Sequence, residues 1–372
     1  MPHFDVLVVG AGPAGAVAAL ALAPTRRVLL VEREASVKER IGESLTPAAR
    51  PLLADLGLLA AFEQEHHQPC YGNRAAWGSD EPFETDFLRD PNGHGWHLDR
   101  ARFDAWLRDV AAERGATLTC SAHVEAIRPG DGEWHVTLTG SDPIVANLVI
   151  DAGGRSAGIA RHLGARRHVH DRLICSWTHG RVSSPHVGAG LTFIQANEHG
   201  WWYSAPLSND RRVLAFHTDA DLAAPDLHDP ARLHAFALRC GGELTDMLRA
   251  CGFAPDGACG VTAAHSAILA PAGGIHGGLG WLTTGDAAIS FDPLSAQGIF
   301  NALYTGLAAA QAAEAYLSGD ALALARYREA IGGIHAAYRT HLTHWYAQEQ
   351  RWPQAPFWRR RHAMRHAAQS AA

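Results

Sequence analysis

The chain opens with an apolar run at residues 5–9, which leads into a glycine-rich turn and then an alanine-rich stretch. This pattern predicts a buried strand, a tight turn and a helix that starts near Pro13. A second apolar run at residues 27–31 ends in the acid Glu32. Strand, glycine turn, helix, strand and acid, in this order, are typical of a dinucleotide-binding unit.

The turn Gly10-Ala-Gly12-Pro-Ala-Gly15 has a glycine wherever such a unit needs one. Gly10 permits the turn out of the strand, Gly12 lets the backbone approach a pyrophosphate, and Gly15 lets the helix pack close to the strand. Backbone N–H groups near Pro13 and Ala14 would then face the phosphates at the helix N-terminus. We therefore expect these residues to bind a nucleotide cofactor.

Two later strands also run into glycine-bearing turns. The apolar run at 146–150 leads into Asp151-Ala-Gly-Gly-Arg-Ser156, and the run at 280–284 leads into Gly285-Asp286. A proline-containing loop with Pro293 follows, and a helix is predicted to start at Gly298. Three such turns, far apart in sequence, indicate one nucleotide-binding domain that is built from separate segments.

Between these turns the chain alternates apolar and polar residues, with many aromatics and histidines. Short strands are predicted at about 70–87 and at 173–177, 191–194, 200–207 and 212–219, with a helix at 230–240. We interpret them as an antiparallel sheet that forms a second domain. Earlier, Asp99 is predicted to cap a helix that carries Phe103, Trp106, Leu107 and Val110 on one face.

The expected fold class is α/β: a discontinuous Rossmann-like FAD-binding domain, an antiparallel β-sheet substrate domain and C-terminal helices. The expected boundaries are 1–70, 95–171 and 262–315 for the FAD-binding domain, 71–94 and 172–261 for the substrate domain, and 316–372 for the helical segment.

Composition narrows the class of protein. The 372 residues are 47% hydrophobic and carry a net charge of −6, so no basic surface suggests nucleic acid, and the arginines near residue 360 favour a solvated surface. The six cysteines form no C-x-x-C pair, which argues against a metal site or a disulfide framework. No apolar run approaches the ~18 residues of a membrane span. We expect a soluble cytoplasmic protein.

The three turns resemble the three fingerprints of the flavoprotein hydroxylase class, whose fold is that of p-hydroxybenzoate hydroxylase. The resemblance implies FAD as cofactor, with Glu32 on the adenosine ribose and Asp286 on the ribityl side. It also places the Gln297–Gly298 backbone near the pyrimidine edge of the flavin, where a helix N-terminus would stabilise the negative charge of the reduced ring. A helix-capping role is the alternative for Asp286.

Further candidates for FAD contact come from the segments beside these turns. Arg40 and Ser44 flank Gly42-Glu43, where a role as solvated loop residues is the alternative. The remaining candidates are Arg33, Arg102, Pro293 and Ile299.

A narrower resemblance covers most of the chain. Gly42-Glu43-Ser44, the 200–207 strand, Phe291-Asp-Pro-Leu-Ser-Ala-Gln-Gly298 and the 351–358 tail are similar to the branch of tryptophan halogenases and of flavoproteins that mature tryptophylquinone cofactors. Halogenases carry W-x-W-x-I-P, whereas this chain has Trp201-x-Tyr203-x-Ala205-Pro206. They also need an active-site lysine after the Gly-Glu segment, but the only lysine here, Lys38, precedes it. These departures disfavour halogenation.

The resemblance implies a monooxygenase that oxidises an electron-rich aromatic, such as a tryptophan side chain of a partner protein or peptide, through a C4a-hydroperoxyflavin. Tyr203 and His217 are the candidate catalytic residues, with purely structural roles as the alternative. NAD(P)H or a separate flavin reductase would supply electrons. A halogenase, a saturase similar to geranylgeranyl reductases and a non-catalytic flavin-bearing maturation chaperone remain alternatives.

Overall fold

A computed structural model describes residues 1–225 and 227–369 of the chain. Its strands are β1 (His3–Val9), β2 (Val28–Val31), β3 (Ser44–Leu45), β4 (Gln68–Cys70), β5 (Gly72–Ala76), β6 (Phe83–Asp86), β7 (Gly95–His97), β8 (Thr117–Thr119), β9 (Val124–Gly130), β10 (Glu133–Leu138), β11 (Ile144–Asp151), β12 (Arg166–Val169), β13 (Leu173–Arg181), β14 (Leu191–Asn197), β15 (Gly200–Leu207), β16 (Arg211–Asp219), β17 (Ala254–Ala263), β18 (Ala267–Ala270), β19 (Gly273–His276), β20 (Leu279–Thr283) and β21 (Ile289–Ser290).

The helices are α1 (Pro13–Leu22), α2 (Ala49–Asp55), α3 (Leu59–Gln64), α4 (Arg100–Glu113), α5 (Gly158–His162), α6 (Pro230–Cys240), α7 (Gly242–Cys251), α8 (Gly298–Leu317), α9 (Ala323–Gln348) and α10 (Pro356–Gln369). Within these ranges, no helix is both long enough and apolar enough to cross a membrane.

The first sheet has eight strands: six follow the order β19-β20-β11-β1-β2-β8, and the hairpin of β9 and β10 joins it through β11. The strands from β20 to β8 in this order pair in parallel. Val6, Leu7 and Val8 of β1 are fully buried, as expected for a parallel strand that is covered on both faces. Helix α1 packs against this sheet and against α8, which brings the first glycine turn close to the residues that start at Gly285.

The second sheet has the order β17-β13-β16-β15-β14-β5-β6. Most of its pairs are antiparallel, as expected, but β14 and β5 pair in parallel. Strands β5 and β6 come from residues 72–86, so this sheet joins two distant parts of the chain. The parallel pair is possible because a long connection, rather than a hairpin, separates β5 from β14.

Local signals account for most element ends. Asp99 accepts a hydrogen bond from the Arg102 N–H and caps α4, and Asp229 caps α6 in the same way. Helix α2 begins at Ala49, after a turn formed by Thr46 and Pro47.

Candidate functional site

One cavity of about 1680 Å³ extends from the first glycine turn to the second sheet. All three glycine turns line it, together with the 42–44 segment, strand β15 and the 291–299 segment. The carboxyl ends of the parallel strands β1, β11 and β20 therefore open onto the same space, as is usual for ligand sites in α/β folds.

The glycine turn has the geometry that its sequence predicts. Gly10 has a φ of +104°, and a Cβ atom there would overlap the Ala152 carbonyl group. A Cβ on Gly15 would overlap the Gly10 carbonyl oxygen, so this position holds α1 against the strand. Gly12 is different, since a Cβ there would meet no atom within 4 Å. Its open side faces the cavity.

Glu32 lies at the end of β2 and lines the cavity. Its Oε2 accepts hydrogen bonds from the Ala11 N–H at 2.9 Å and from Arg108 at 3.2 Å. Arg108, which is buried in α4, also donates to the Ala11 carbonyl at 2.8 Å. Arg108 therefore fixes both the glycine turn and the acid, a role that its position within a helical sequence did not reveal.

The third glycine turn packs directly against the first, since a Cβ on Gly285 would lie 2.6 Å from the Ala14 Cβ. Asp286 lies in a short helical turn, Gly285–Ala287, and its carboxylate pairs with Arg155 at 3.3 Å. Gln297 occupies the N-cap position of α8, and a Cβ on Gly298 would meet no atom within 4 Å. The α8 N-terminus is thus open toward the cavity, which Pro293 and Ile299 also line.

The predicted catalytic residues lie on neighbouring strands at the other end of the cavity. The Tyr203 hydroxyl is 3.0 Å from the Ser44 Oγ. The His217 ring stacks on Trp201, with ring centroids 3.7 Å apart and planes 5° from parallel. Burial lowers the pKa of His217 to about 3, so its imidazole is neutral at physiological pH.

A second acid–base group connects this end of the cavity with the surface. Glu43 lines the cavity, and its Oε1 lies 3.5 Å from the Nε2 of His179; both side chains are buried. On the other side, the His179 Nδ1 is 2.8 Å from Glu39, whose side chain is 44% exposed. Burial opposes a charge on His179, but the adjacent carboxylates outweigh it and raise the pKa of the imidazole.

Asp292 is a second buried acid at this end. The Tyr346 hydroxyl donates a hydrogen bond to the Asp292 Oδ2 at 2.7 Å, and the Asp292 N–H donates to the Tyr338 hydroxyl at 2.7 Å. Burial, reinforced by the charge of Asp171, raises the pKa of Asp292 to about 7. A carboxyl group poised between its two protonation states therefore lies in the cavity wall.

Not every predicted residue reaches the cavity. Arg33, whose side chain is 76% exposed, and Arg40 line it, and Arg40 lies 3.8 Å from the buried Asp104. Arg102 does not line it: this side chain lies 3.3 Å from His67 and 3.8 Å from Glu65. Two other arginines of α4, Arg100 and Arg108, do line the cavity.

The residues that line the cavity fit FAD. Space without neighbouring atoms lies beside Gly12, where a pyrophosphate would pass, and beside Gly298 at the helix N-terminus, where the flavin would end. Glu32, which also lines the cavity, would offer carboxylate oxygens to the ribose hydroxyl groups. In the described part of the chain, no group of three or more metal-ligating side chains could hold a metal ion.

Comparisons with known proteins define the class. The model of the FAD binding domain family matches residues 3–233. The chain is 30% identical over 370 residues to the FAD-dependent oxidoreductase LodB of Marinomonas mediterranea, covering 98% of each chain. The solved structure of the flavin-dependent halogenase CmlS superposes with a TM-score of 0.85 at 25% identity, covering all of this chain and 70% of that one.

A further solved structure, that of the peptidyl tryptophan dihydroxylase QhpG, has a TM-score of 0.75 and covers 96% of this chain and 78% of that one. At 23% identity, this likeness concerns the fold alone. The chain belongs to the FAD binding domain family. It is an FAD-dependent oxidoreductase with a halogenase-like fold, which confirms FAD as the cofactor and the expected fold class.

Proposed function

We propose that this protein is an FAD-dependent monooxygenase that oxidises an electron-rich aromatic substrate, a tryptophan side chain of a partner protein or peptide. The observation that carries the proposal is the single cavity, in which a glycine-turn cofactor site continues into a pocket of aromatic side chains with buried acids. NAD(P)H or a separate flavin reductase supplies the electrons.

Apolar side chains at the rim of the cavity favour a large substrate, such as a peptide or protein. Phe83, Val261 and Trp345 line the cavity and are between 41% and 50% exposed. Exposed apolar groups around a concave site are typical of surfaces that bind another macromolecule. A peptide could cover this rim while its indole ring extends inward past Trp177 and Tyr203.

FAD, when bound and reduced, supplies the activation of O2. The residues of the chain orient the aromatic ring and handle its proton. When oxygen adds to an aromatic carbon, that carbon must lose its hydrogen as a proton so that the ring regains aromaticity. We assign the acceptor role to Glu43, with His179 and Glu39 passing the proton to solvent.

Halogenation is the second candidate, because the relatives include the halogenase CmlS. The position of Lys38 speaks against it: the Nζ is 2.6 Å from Glu34, and the side chain is 69% exposed. A lysine in this setting is held at the outer part of the cavity rather than beside Glu43. Loss of a ring proton accompanies halogenation as well, so Glu43 would have the same role there.

The experiment is a reaction of the photoreduced, FAD-loaded protein with O2 in the presence of a tryptophan-containing peptide, with and without bromide. Product masses that increase by oxygen atoms support the monooxygenase. A brominated product identifies a halogenase. Reduction of a polyprenyl double bond without O2 would favour a saturase, and binding of the peptide without turnover would favour a maturation chaperone.

The role of Glu43 predicts the behaviour of one variant. E43Q keeps the size of the side chain, so FAD content should be unchanged, whereas product formation should fall by about 10²-fold because the proton acceptor is lost. A substrate deuterated at the reacting carbon should give a larger isotope effect with E43Q, since removal of the proton becomes the slow step.

The matched control is E133Q, which removes the carboxylate that pairs with His3 at 3.0 Å on a partly exposed surface outside the cavity. This variant should behave like the unmodified protein. If E43Q retains the unmodified rate and isotope effect, another group accepts the proton.

A further inference from the structure

A file of oxidisable aromatic rings leads from the cavity wall to the molecular surface. It consists of Trp201, Tyr346, Trp77, Trp358 and Trp352, and we call it the aromatic file. Ring centroids are 6.5 Å apart for Trp201 and Trp77, 5.4 Å for Trp77 and Trp358, and 6.4 Å for Trp358 and Trp352. Trp201 and Trp77 line the cavity, Tyr346 and Trp358 are buried, and Trp352 is partly exposed.

Hydrogen bonds connect the inner members of the file to a proton acceptor. The Trp201 Nε1–H donates to the Tyr346 hydroxyl at 3.2 Å, and this hydroxyl donates to Asp292 at 2.7 Å. A tyrosine that loses an electron also loses its hydroxyl proton readily, and Asp292 is placed to receive it. The Tyr346 ring centroid is 5.9 Å from that of Trp77 and 6.1 Å from that of Trp358, so this tyrosine contacts the inner tryptophans of the file.

Cations near the file are neutralised by carboxylates. The Arg361 guanidinium lies 5.6 Å from the Tyr346 ring centroid but pairs with Asp219 at 2.6 Å. At the outer end, Arg351 stacks over Trp352 at 4.5 Å, and it pairs with Asp80 and Glu349. No uncompensated positive charge among these neighbours opposes the removal of an electron from the described rings.

Packing alone does not require this composition. A buried apolar position is filled equally well by phenylalanine or leucine, as at Phe357 beside Tyr346. Each position of the file instead holds tryptophan or tyrosine, the aromatic side chains that are oxidised most easily. Tryptophan and tyrosine also need a partner for their N–H or O–H when buried, which adds a cost to their use here.

We propose that the aromatic file carries oxidising equivalents from the cavity to the surface when no substrate ring is present. A hydroperoxide formed from O2 in the cavity takes two electrons, one after the other, from Trp201 and, with two protons, is reduced to a hydroxyl compound and water. Each electron is replaced stepwise through Trp77, Trp358 and Trp352 by a thiol or ascorbate in solution. Where Tyr346 supplies the electron to Trp201 in place of Trp77, its hydroxyl proton moves to Asp292 and returns when Trp77 or Trp358 reduces the tyrosine again. The oxygen-derived oxidant rests on the proposed function.

The test is flash photolysis of the FAD-loaded protein without O2 and without substrate. Light causes electron transfer from a nearby ring to the excited flavin, and the oxidised tryptophan is followed by its visible absorbance. The unmodified protein should give a long-lived signal that ascorbate removes. W358F, which interrupts the file, and W352F, which removes only its outer end, should lose this long-lived signal.

W106F is the matched control, because Trp106 packs with Phe62 and Phe103 away from the file. It should leave the signal unchanged. Equal signal lifetimes in the unmodified protein, W358F and W352F would overturn the proposal. The use of W352F, at a partly exposed position, protects the result against misfolding of W358F.

A second measurement separates this proposal from the proposed function. After repeated photoreduction and reoxidation by O2 without substrate, peptide mass spectrometry should locate oxidised residues at Trp352 in the unmodified protein and at Trp201 in W358F. A failure to oxygenate any aromatic substrate would defeat the proposed monooxygenase but would leave the flash result intact. The same oxidation pattern in both proteins would contradict the file.

Discussion

Two glycines of the first turn have different roles: Gly15 is needed for folding, and Gly12 is needed for cofactor binding. Gly12 has a φ of −74°, which any residue adopts, and free space beside it, whereas Gly15 faces the Gly10 carbonyl group. We expect G12V to fold with a change in unfolding free energy below ~1 kcal/mol and to lose FAD. G15A should be destabilised by roughly 1–3 kcal/mol or more, because the strand and helix must separate.

Urea unfolding and flavin absorbance after gel filtration measure the two effects. Normal FAD retention by G12V would mean that the pyrophosphate does not pass this glycine. Unchanged stability of G15A would mean that the contact between α1 and β1 can relax.

The residues whose roles could be predicted are those that depend only on the local conformation of the chain. The requirements at Gly10 and Gly15 follow from the turn that they form, and the structure has both contacts. The sequence did not indicate roles for Glu43, His179 and Arg108, because each role depends on a partner that is distant in sequence. His179 lies 140 positions from Glu39, and no spacing rule connects a histidine in a strand to that loop.

At the level of elements, pattern and caps predicted strands and helices well. Strand β15 and helix α6 have the predicted bounds, Gly200–Leu207 and Pro230–Cys240. The strand lies between clear turn residues, and the helix begins at an aspartate cap followed by proline. The parallel pairing of β5 with β14 could not be predicted, since it depends on how the two sheets are placed.

The link between the 291–297 loop and α9 predicts a pH effect. Asp292 accepts from Tyr346 of α9, and its pKa rises from 3.8 to about 7, with burial as the main cause and Asp171 adding to it; Arg361 acts in the opposite direction. The unfolded chain thus releases this proton near pH 4, whereas the folded protein keeps it until about pH 7. The acid therefore lowers stability progressively between these values.

D292N cannot ionise, so its melting temperature relative to the unmodified protein should increase as the pH rises from about 4 to about 7 and then level off. Thermal unfolding at several pH values measures this difference. A difference that is constant over the range would show that Asp292 ionises normally in the folded protein. D286N, which changes a partly exposed acid paired with Arg155, is the control and should not reproduce the slope.

For the whole molecule, the cofactor site is assembled from parts that are far apart in the chain. The first turn lies before α1, Arg155 follows β11, and Gly298 starts α8, yet all of them line one cavity. A ligand that touches each part binds only the folded protein. At 100 times its dissociation constant, FAD should stabilise the fold by about 2.7 kcal/mol, and the melting temperature should rise with FAD concentration.

The size of this rise tests whether the distant parts act together. R155Q removes a side chain that pairs with Asp286 and that contacts the His265 and Phe291 carbonyl groups, so it should reduce the FAD-dependent rise even though Arg155 lies far in sequence from the first glycine turn. R328Q alters an arginine outside the cavity and should retain the full rise. If R155Q also retains it while G12V abolishes it, the first turn alone supplies the binding energy, and the later segments serve the substrate rather than the cofactor.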